Sequence, residues 1–476
     1  MRLGKTTLSH FLSQVVVSAA GFLATFAIAS VLGADGVGIY ALGVALLIWT
    51  TIPVAGVKRG ITKRISEYEE PGAYLSAGLA LTLGIAALVT TALLVFAPFV
   101  NRYVGAPVAG LLAAVFVADV SLRLVGAILQ GEKKVAHFGW LKALERLVRT
   151  TLQVGLLLLG YAIVGLFIGH AIALALAAGV GVVFVGTRPT RPGRRHVLRL
   201  ANFARYSWLG SVKARTFGWM DTIVLGLFVS STLIGIYEVA WNLASVLALV
   251  SISVRNTLFP ELSKLSGADR YDRIHHYLNE GLLFTGVFLI PGLVGALAIG
   301  DRVLAIYGAE FTRGLVILVI LIGARTVDAF GTQFLSVIDA IDRPEIAFRV
   351  NAVFVGTNLG LNLLLVWQFG WFGAAVATFV SGLLTFALGY RALSSLIGSP
   401  DIPFVELGKQ TIAAAGMYVG VISLEQMVPS GHYVTVFVTL LGAGMYGSIL
   451  VVISTRVRRK AVELTGTLTP RSFPGP

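Results

Sequence analysis

The chain has no cysteine among its 476 residues. That excludes disulfides and thiol chemistry and leaves the compartment open. Charge is scarce too: Asp, Glu, Lys and Arg make up 13% of the residues, where a soluble globular chain carries about 25%. No G-x-x-x-x-G-K-S/T loop occurs, so no ATPase is built in. Neither an H-E-x-x-H helix, a paired-cysteine metal site nor a convincing G-x-S-x-G elbow is present, and no metal or cofactor is expected. The polar segments are too short to house a soluble catalytic domain, so no enzyme activity is expected. Short alternating strands are missing, which argues against an outer-membrane barrel. No small-residue cleavage site follows the first apolar run, near Phe11, so that run reads as a retained span.

What fills the chain is hydrocarbon. The hydrophobic fraction is 56% and mean hydropathy is +0.85. The apolar residues come in runs of about 20, the length that crosses a bilayer core as a helix. Fourteen such spans are expected: 11–32, 37–57, 73–98, 106–130, 138–159, 163–186, 204–229, 233–257, 279–299, 314–338, 346–368, 371–396, 406–426 and 433–455.

The formal net charge of +14 suggests a nucleic-acid partner until its placement is considered. Alternate connections are basic: Arg2 and Lys5; Lys58, Arg59, Lys63 and Arg64; Lys133 and Lys134; Arg188 through Arg199; Arg255, Lys264, Arg270 and Arg273; Arg343; Arg391 and Lys409; Arg456 through Lys460. The other set holds only Arg102, Arg302 and Arg313. Basic connections stay in the cytoplasm, which places both termini inside and spreads the cations over separate loops. No nucleic acid is expected.

The chain also repeats itself. Gly38-Ile39-Tyr40 through Val57-Lys58 to Ile65-Ser66 returns, at constant offset, as Gly235-Ile236-Tyr237 through Val254-Arg255 to Leu262-Ser263. Gly160-Tyr161 and Gly165 likewise resemble Gly370-Trp371 and Gly373-Ala374-Ala375, and Leu129 to Lys133 resembles Asp339 to Arg343. Repeats of apolar hairpins are how many transporters are built, with the substrate path at the seam. Both copies start on the same side, so the repeat is parallel, about an axis along the membrane normal. The expected organisation is an all-α membrane protein of about 14 transmembrane helices in two pseudo-symmetric six-helix lobes plus two C-terminal helices. Residues 1–187 form the first lobe, 188–203 a basic cytoplasmic linker, 204–397 the second lobe, and 398–476 two extra helices with a basic tail.

Ionisable groups within spans are costly, and they usually face a bundle interior or a wet cavity. Asp119 and Arg123 are four apart with the acid first, the favourable order for a pair. Arg325 and Asp328 are three apart. Both pairs read equally as self-neutralised links between helices. Lys142, Arg146 and Arg149 form a stripe with Glu145 beside it. Lys213 and Asp221 share a face through Phe217, with Arg215 nearly opposite. Glu238 lies in the outer part of span eight. Lys142 and Arg349 read as snorkelling side chains, His170 as a hydrogen-bonded histidine or a proton carrier, and Tyr40 and Tyr237 as interface or packing residues.

The segment Phe22–Leu32 with Gly33-Ala34-Asp35-Gly36-Val37-Gly38-Ile39-Tyr40 resembles the "LG…G.Y" turn between the first two helices of polysaccharide exporters. The basic exit Val57–Ser66, the Gln130-Gly131 hairpin and the turn Gly160–Gly165 fit the same pattern. In its layout the chain is similar to Wzx-type oligosaccharide flippases of the multidrug/oligosaccharidyl-lipid/polysaccharide exporter superfamily. The resemblance implies movement of a polyprenyl (undecaprenyl or dolichyl) phosphate- or diphosphate-linked glycan from the inner to the outer leaflet by alternating access. It implies a cytoplasmic-membrane location and, as partners, membrane lipids and the glycosyltransferases, polymerase or oligosaccharyltransferase of the pathway. It supplies no fixed binding motif. From charge and depth the expected substrate-binding residues are Arg123, Arg149, Lys213, Arg215 and Arg325, lining a cationic central cavity. The ion-coupling or pairing residues are Asp119, Asp221, Glu238 and Asp328.

Three other functions compete. A multidrug cation antiporter carries an acid in its first helix, and span one here has none. A lipid II flippase is closer, but its arginine-rich first helix is not seen. A glycan polymerase or ligase would place a large polar loop outside, and the stretch Asp301–Arg313 is short.

Overall fold

The computed structural model describes residues 2–67, 69–207, 212–267, 270–429 and 431–460. Residues 208–211 of the expected seventh span and the tail after Lys460 lie outside the described residues. The elements run α1 (Arg2–Thr50), α2 (Ile52–Ser66), α3 (Pro71–Val95), α4 (Ala97–Val104), α5 (Ala109–Gly131), α6 (Val135–Leu158), α7 (Ala162–Val183), α8 (Arg194–Ser207), α9 (Val212–Phe228), α10 (Ser231–Ser266), α11 (Tyr271–Ala305), a 3₁₀ turn (Ala309–Gly314), α12 (Leu315–Ala340), α13 (Pro344–Phe369), α14 (Trp371–Ile397), α15 (Phe404–Glu425) and α16 (His432–Ile453). No strand occurs among the described residues.

Ten of these segments are long and apolar enough to cross a membrane. The difference from fourteen has physical causes. The run from Ala20 to Thr50 counts once, yet it is two helices joined at Gly33, whose φ of 66° and ψ of −168° only glycine adopts readily. Helix α6 carries Lys142, Glu145, Arg146 and Arg149, α9 is only 17 residues long, and α15 opens with Glu406, Lys409 and Gln410.

The basic exit Lys58–Arg64, read from sequence as a connection, is helical in α2. Thr51 and Pro53 break the preceding helix, and Val54, Val57, Ile61 and Ile65 then recur at helical spacing and are buried. The repeat is visible in the backbone. Lys133 and Asp342 both take left-handed conformations, with φ of 61° and 63°. Around them the same bonds recur: Lys133 to Gln130 and Lys134 to Leu129 in one hairpin, Asp342 to Asp339 and Arg343 to Ile338 in the other.

The chain divides into two compact units. The first comprises residues 1–238 and 358–374, the second 239–357 and 375–476. The first unit holds a core of Val57, Ile61, Ile65, Leu75, Ala127, Ile128 and Leu200. The second holds two, one around Leu278, Phe334 and Ile338 and one around Met417, Val438 and Tyr446.

Within the first unit, the connection from α7 to α8 is pinned at both ends by carboxylates. Glu132 accepts from the amides of Gly186 and Thr187, from the Thr187 hydroxyl at 2.7 Å, and pairs with Lys134 at 2.8 Å. Desolvation pushes its pKa up, but the bonds from Lys134, Thr187 and Gly186 outweigh it and hold the carboxyl below its ordinary value. At the other end Glu70 takes hydrogen bonds from His196 and Arg195 at 2.6 Å, the histidine bond first among the causes that lower its pKa.

Candidate functional site

Three polar clusters lie among the apolar helices of the first unit. The first joins α1, α6 and α7. Arg149 pairs with Glu145 at 3.1 Å and donates from Nη1 to His170 Nε2 at 2.9 Å. A guanidinium only donates, so Nε2 is the acceptor and Nδ1 carries the proton, directed at the Tyr40 hydroxyl 3.1 Å away. Gln153 donates to the same hydroxyl at 2.7 Å and to the Leu166 carbonyl at 3.0 Å. His170 is therefore a buried neutral histidine fixed on both sides. Arg146 lies across Gly21 of α1, where any side chain would collide with its guanidinium.

The second cluster joins α9, α10 and α13. Asp221 is buried and accepts from the Tyr237 hydroxyl and, at 2.9 Å, from Asn362 Nδ2. Asn362 also donates to the Asn358 carbonyl at 3.0 Å. Glu238, likewise buried, accepts from Thr222. The tyrosines read from sequence as packing residues are thus hydrogen-bonding residues. They are also equivalent: Tyr40 and Tyr237 share the offset of the repeat, and Gln153 and Asn362 share that of Lys133 and Asp342. In each copy a tyrosine reaches a mid-span amide, directly in one and through Asp221 in the other.

The third cluster lies toward the basic ends of α2, α5 and α6, with α9. Arg123 pairs with Asp119 at 2.6 Å, as its spacing implies. Arg215 donates to the Ile48 carbonyl and lies 3.2 Å from the Thr51 hydroxyl. Its charged neighbours are Arg123, Asp119 and Arg59. Lys58 and Lys142 both stand over the Phe138 ring, at 5.2 and 5.0 Å from its centroid. Lys213 stands 5.8 Å from the Phe217 centroid.

Of the residues expected from sequence, Arg123, Arg149, Lys213, Arg215, Asp119, Asp221 and Glu238 all belong to the first unit. Arg325 and Asp328 belong to the second. Arg325 stacks 4.0 Å from the Trp241 centroid and donates to Ser245, and Asp328 is half-buried one turn on. Sequence reasoning passed over Tyr40, Gln153, Tyr237, Asn362 and Lys58. The repeat offset carried the signal for Tyr40 and Tyr237; Gln153 and Asn362 match only at the backbone offset of Lys133 and Asp342, one residue from the alignment read in the sequence, and Lys58 had no signal, because it was read as part of a loop.

The sequence profile of the family described as polysaccharide biosynthesis protein matches residues 3–266. A protein of Haloferax volcanii named as a probable flippase, AglR, is 32% identical over 469 residues, 97% of this chain and 98% of its own. A second protein of that organism, named as a probable low-salt glycan biosynthesis flippase, Agl15, is 27% identical over 99% of this chain and all of its own length. Among solved structures, the lipid II flippase MurJ in an inward closed conformation superposes with a TM-score of 0.80 over 94% of this chain and 98% of that one, at 14% identity. An inward-facing multidrug resistance transporter of the MATE family superposes with a TM-score of 0.62 over 81% of this chain, at 15% identity. These two likenesses establish the fold: an all-α, multi-pass membrane architecture.

Proposed function

The chain belongs to the polysaccharide biosynthesis protein family, and from that premise we propose that it is a flippase for lipid-linked oligosaccharide. Its cargo is a glycan on a polyprenyl phosphate or diphosphate, moved from the inner to the outer leaflet. The observation that carries this reading is the cationic surplus among the apolar helices of the first unit. Among the described residues, Lys58, Arg123, Lys142, Arg146, Arg149 and Arg215 have Asp119 and Glu145 as the carboxylates of the same clusters. An excess of cations over carboxylates among membrane-spanning helices is costly, and such groups mark the path of a polar or anionic substrate. The phosphoryl and sugar head is drawn to these cations while the polyprenyl tail stays in lipid.

In this reading Arg123, Arg149, Lys213 and Arg215, together with Arg325, contact the head. Asp221 and Glu238 are the ion-coupling groups, since each is a buried carboxylate held by neutral donors. Asp119 and Asp328 serve as pairing residues. Alternating access follows the division 1–187, 188–203, 204–397 and 398–476. The protein acts as a transporter with no catalytic step, in the plasma membrane with both termini inside, supplied by glycosyltransferases and followed by a polymerase or oligosaccharyltransferase.

The test is reconstitution into proteoliposomes with a fluorescent lipid-linked oligosaccharide, leaflet exposure being scored by a membrane-impermeant reagent. Protein-dependent exposure supports the reading. Ion-driven uptake of a small organic cation with no exposure of any lipid-linked glycan favours an antiporter instead.

A further inference from the structure

Two helices each set an ammonium group against the Phe138 ring. Lys142 lies one turn along α6 from Phe138, and Lys58 reaches the same ring from α2. The ring itself is fixed. It is buried, and its edge fills the space above Gly126 of α5, where any Cβ would collide with it. The charged groups facing Lys58 are Lys142, Arg123, Asp119 and Arg59. The single carboxylate among them, Asp119, is engaged by Arg123 at 2.6 Å. Among the described residues no ion pair joins Lys58 or Lys142 to a carboxylate.

Two ammonium groups on one aromatic ring repel each other, and the ring's quadrupole offsets only part of that repulsion. A multiply charged anion lying between them turns the repulsion into attraction, and charge-assisted bonds to phosphoryl oxygens are the strong kind. Lysine suits this role because it binds phosphate as a point charge on a flexible stem. The pair also stands in the right part of the molecule. Phe138 lies in the first turn of α6, which follows the hairpin Glu132–Lys134, and that hairpin holds the linker.

Resting on the flippase reading, we propose that Lys58, Phe138 and Lys142 form a capture subsite for the phosphoryl group of the lipid-linked substrate, distinct from the Arg149–His170 cluster. The subsite takes a phosphate ester anion, and whether that is a monophosphate or a diphosphate is what its two point charges discriminate.

The test uses the full chain in nanodiscs of zwitterionic lipid, titrated with farnesyl diphosphate, farnesyl phosphate and uncharged farnesol. The double variant Lys58→Gln/Lys142→Gln is expected to lose about tenfold or more in affinity for the better-bound phosphoryl ester, the size of about one charge-assisted contact. Farnesol binding stays the same. Lys58→Arg/Lys142→Arg keeps the affinity, which separates lost charge from lost folding, and the thermal unfolding of each variant is measured alongside. Whichever ester binds more tightly to wild type supports the subsite and identifies its ligand class. Unchanged ester binding in the Gln double variant overturns the subsite, and leaves the flippase reading standing if lipid-linked glycan is still exposed by wild type. Phosphatidylglycerol competing as strongly as the esters also overturns it, by making this a general headgroup contact. A wild type that neither binds the esters nor exposes glycan overturns both.

Discussion

Gly38 and Gly235 occupy the same place in the two copies of the repeat, and they meet backbone to backbone. A Cβ on Gly38 would fall against the Ser231 carbonyl and the Gly235 amide, and one on Gly235 against the Ala34 carbonyl and the Gly38 amide. This reciprocity, each residue meeting the other's neighbours, is the signature of a local two-fold axis. Beside it Ser231 donates to Asp35. Both copies begin here, at the ends opposite the basic connections; in the proposed alternating-access cycle this contact parts when substrate leaves on that side.

A cross-link tests that requirement. Because the chain has no cysteine, Asp35→Cys/Ser231→Cys introduces the only thiols. Under oxidant the pair is expected to form a disulfide and stop glycan exposure, and reductant is expected to restore it. Full transport by the cross-linked protein would show that the contact never opens.

Arg146 depends on the missing side chain at Gly21. Gly21→Leu is expected to displace the guanidinium and reduce transport about as much as Arg146→Gln, with the double variant no worse than either single, as residues acting through one contact behave. Gly84, whose Cβ would meet nothing within 4 Å, is the control. Gly84→Leu should leave transport intact. Additive losses for Gly21 and Arg146 would refute the link.

The Tyr237–Asp221–Asn362 chain holds a carboxylate buried among apolar helices. Tyr237→Phe and Asn362→Leu should each destabilise the protein by about 1.5–3 kcal/mol, the range for a hydrogen bond to a charged group. A double-mutant cycle between them should show coupling through the shared acceptor. Asp221→Asn is expected to abolish stimulation of transport by an imposed ion gradient while leaving gradient-free equilibration. Gradient stimulation persisting in Asp221→Asn would remove Asp221 from coupling.

Glu132 makes the strap on the linker pH-dependent. Its carboxyl titrates below its ordinary value when folded, so its contribution is fully present above the unfolded pKa, about 4.3. That contribution is lost as pH falls through the lower folded value. Glu132→Gln should therefore melt earlier than wild type at neutral pH, and the difference should close on acidification. A difference that stays constant to acid pH would mean the bonds, and not the charge, carry the strap.

Much of this molecule is dictated by one-dimensional pattern. Apolar runs, their lengths and the basic bias of alternate connections follow from the cost of hydrocarbon in water and of charge in lipid, and these fix an all-α membrane protein whatever packs against what. The spacing of Asp119 and Arg123 sets their ion pair, because neighbours four apart on a helix share a face. The repeat is legible too, though the backbone pairs Lys133 with Asp342 where the sequence alignment set Lys133 against Arg343, one residue away. What tertiary structure alone decided is which charges on different helices share a neighbour. Tyr40 finds Gln153 and His170, Tyr237 finds Asp221, and Lys58 and Lys142 find one ring. Those encounters join residues 80 to 130 positions apart or cross a turn between helices, and helical periodicity carries no information about which face of one helix meets which face of another. Only packing, down to a glycine at position 21 or 126 that leaves room for an arginine or a phenylalanine, settles that.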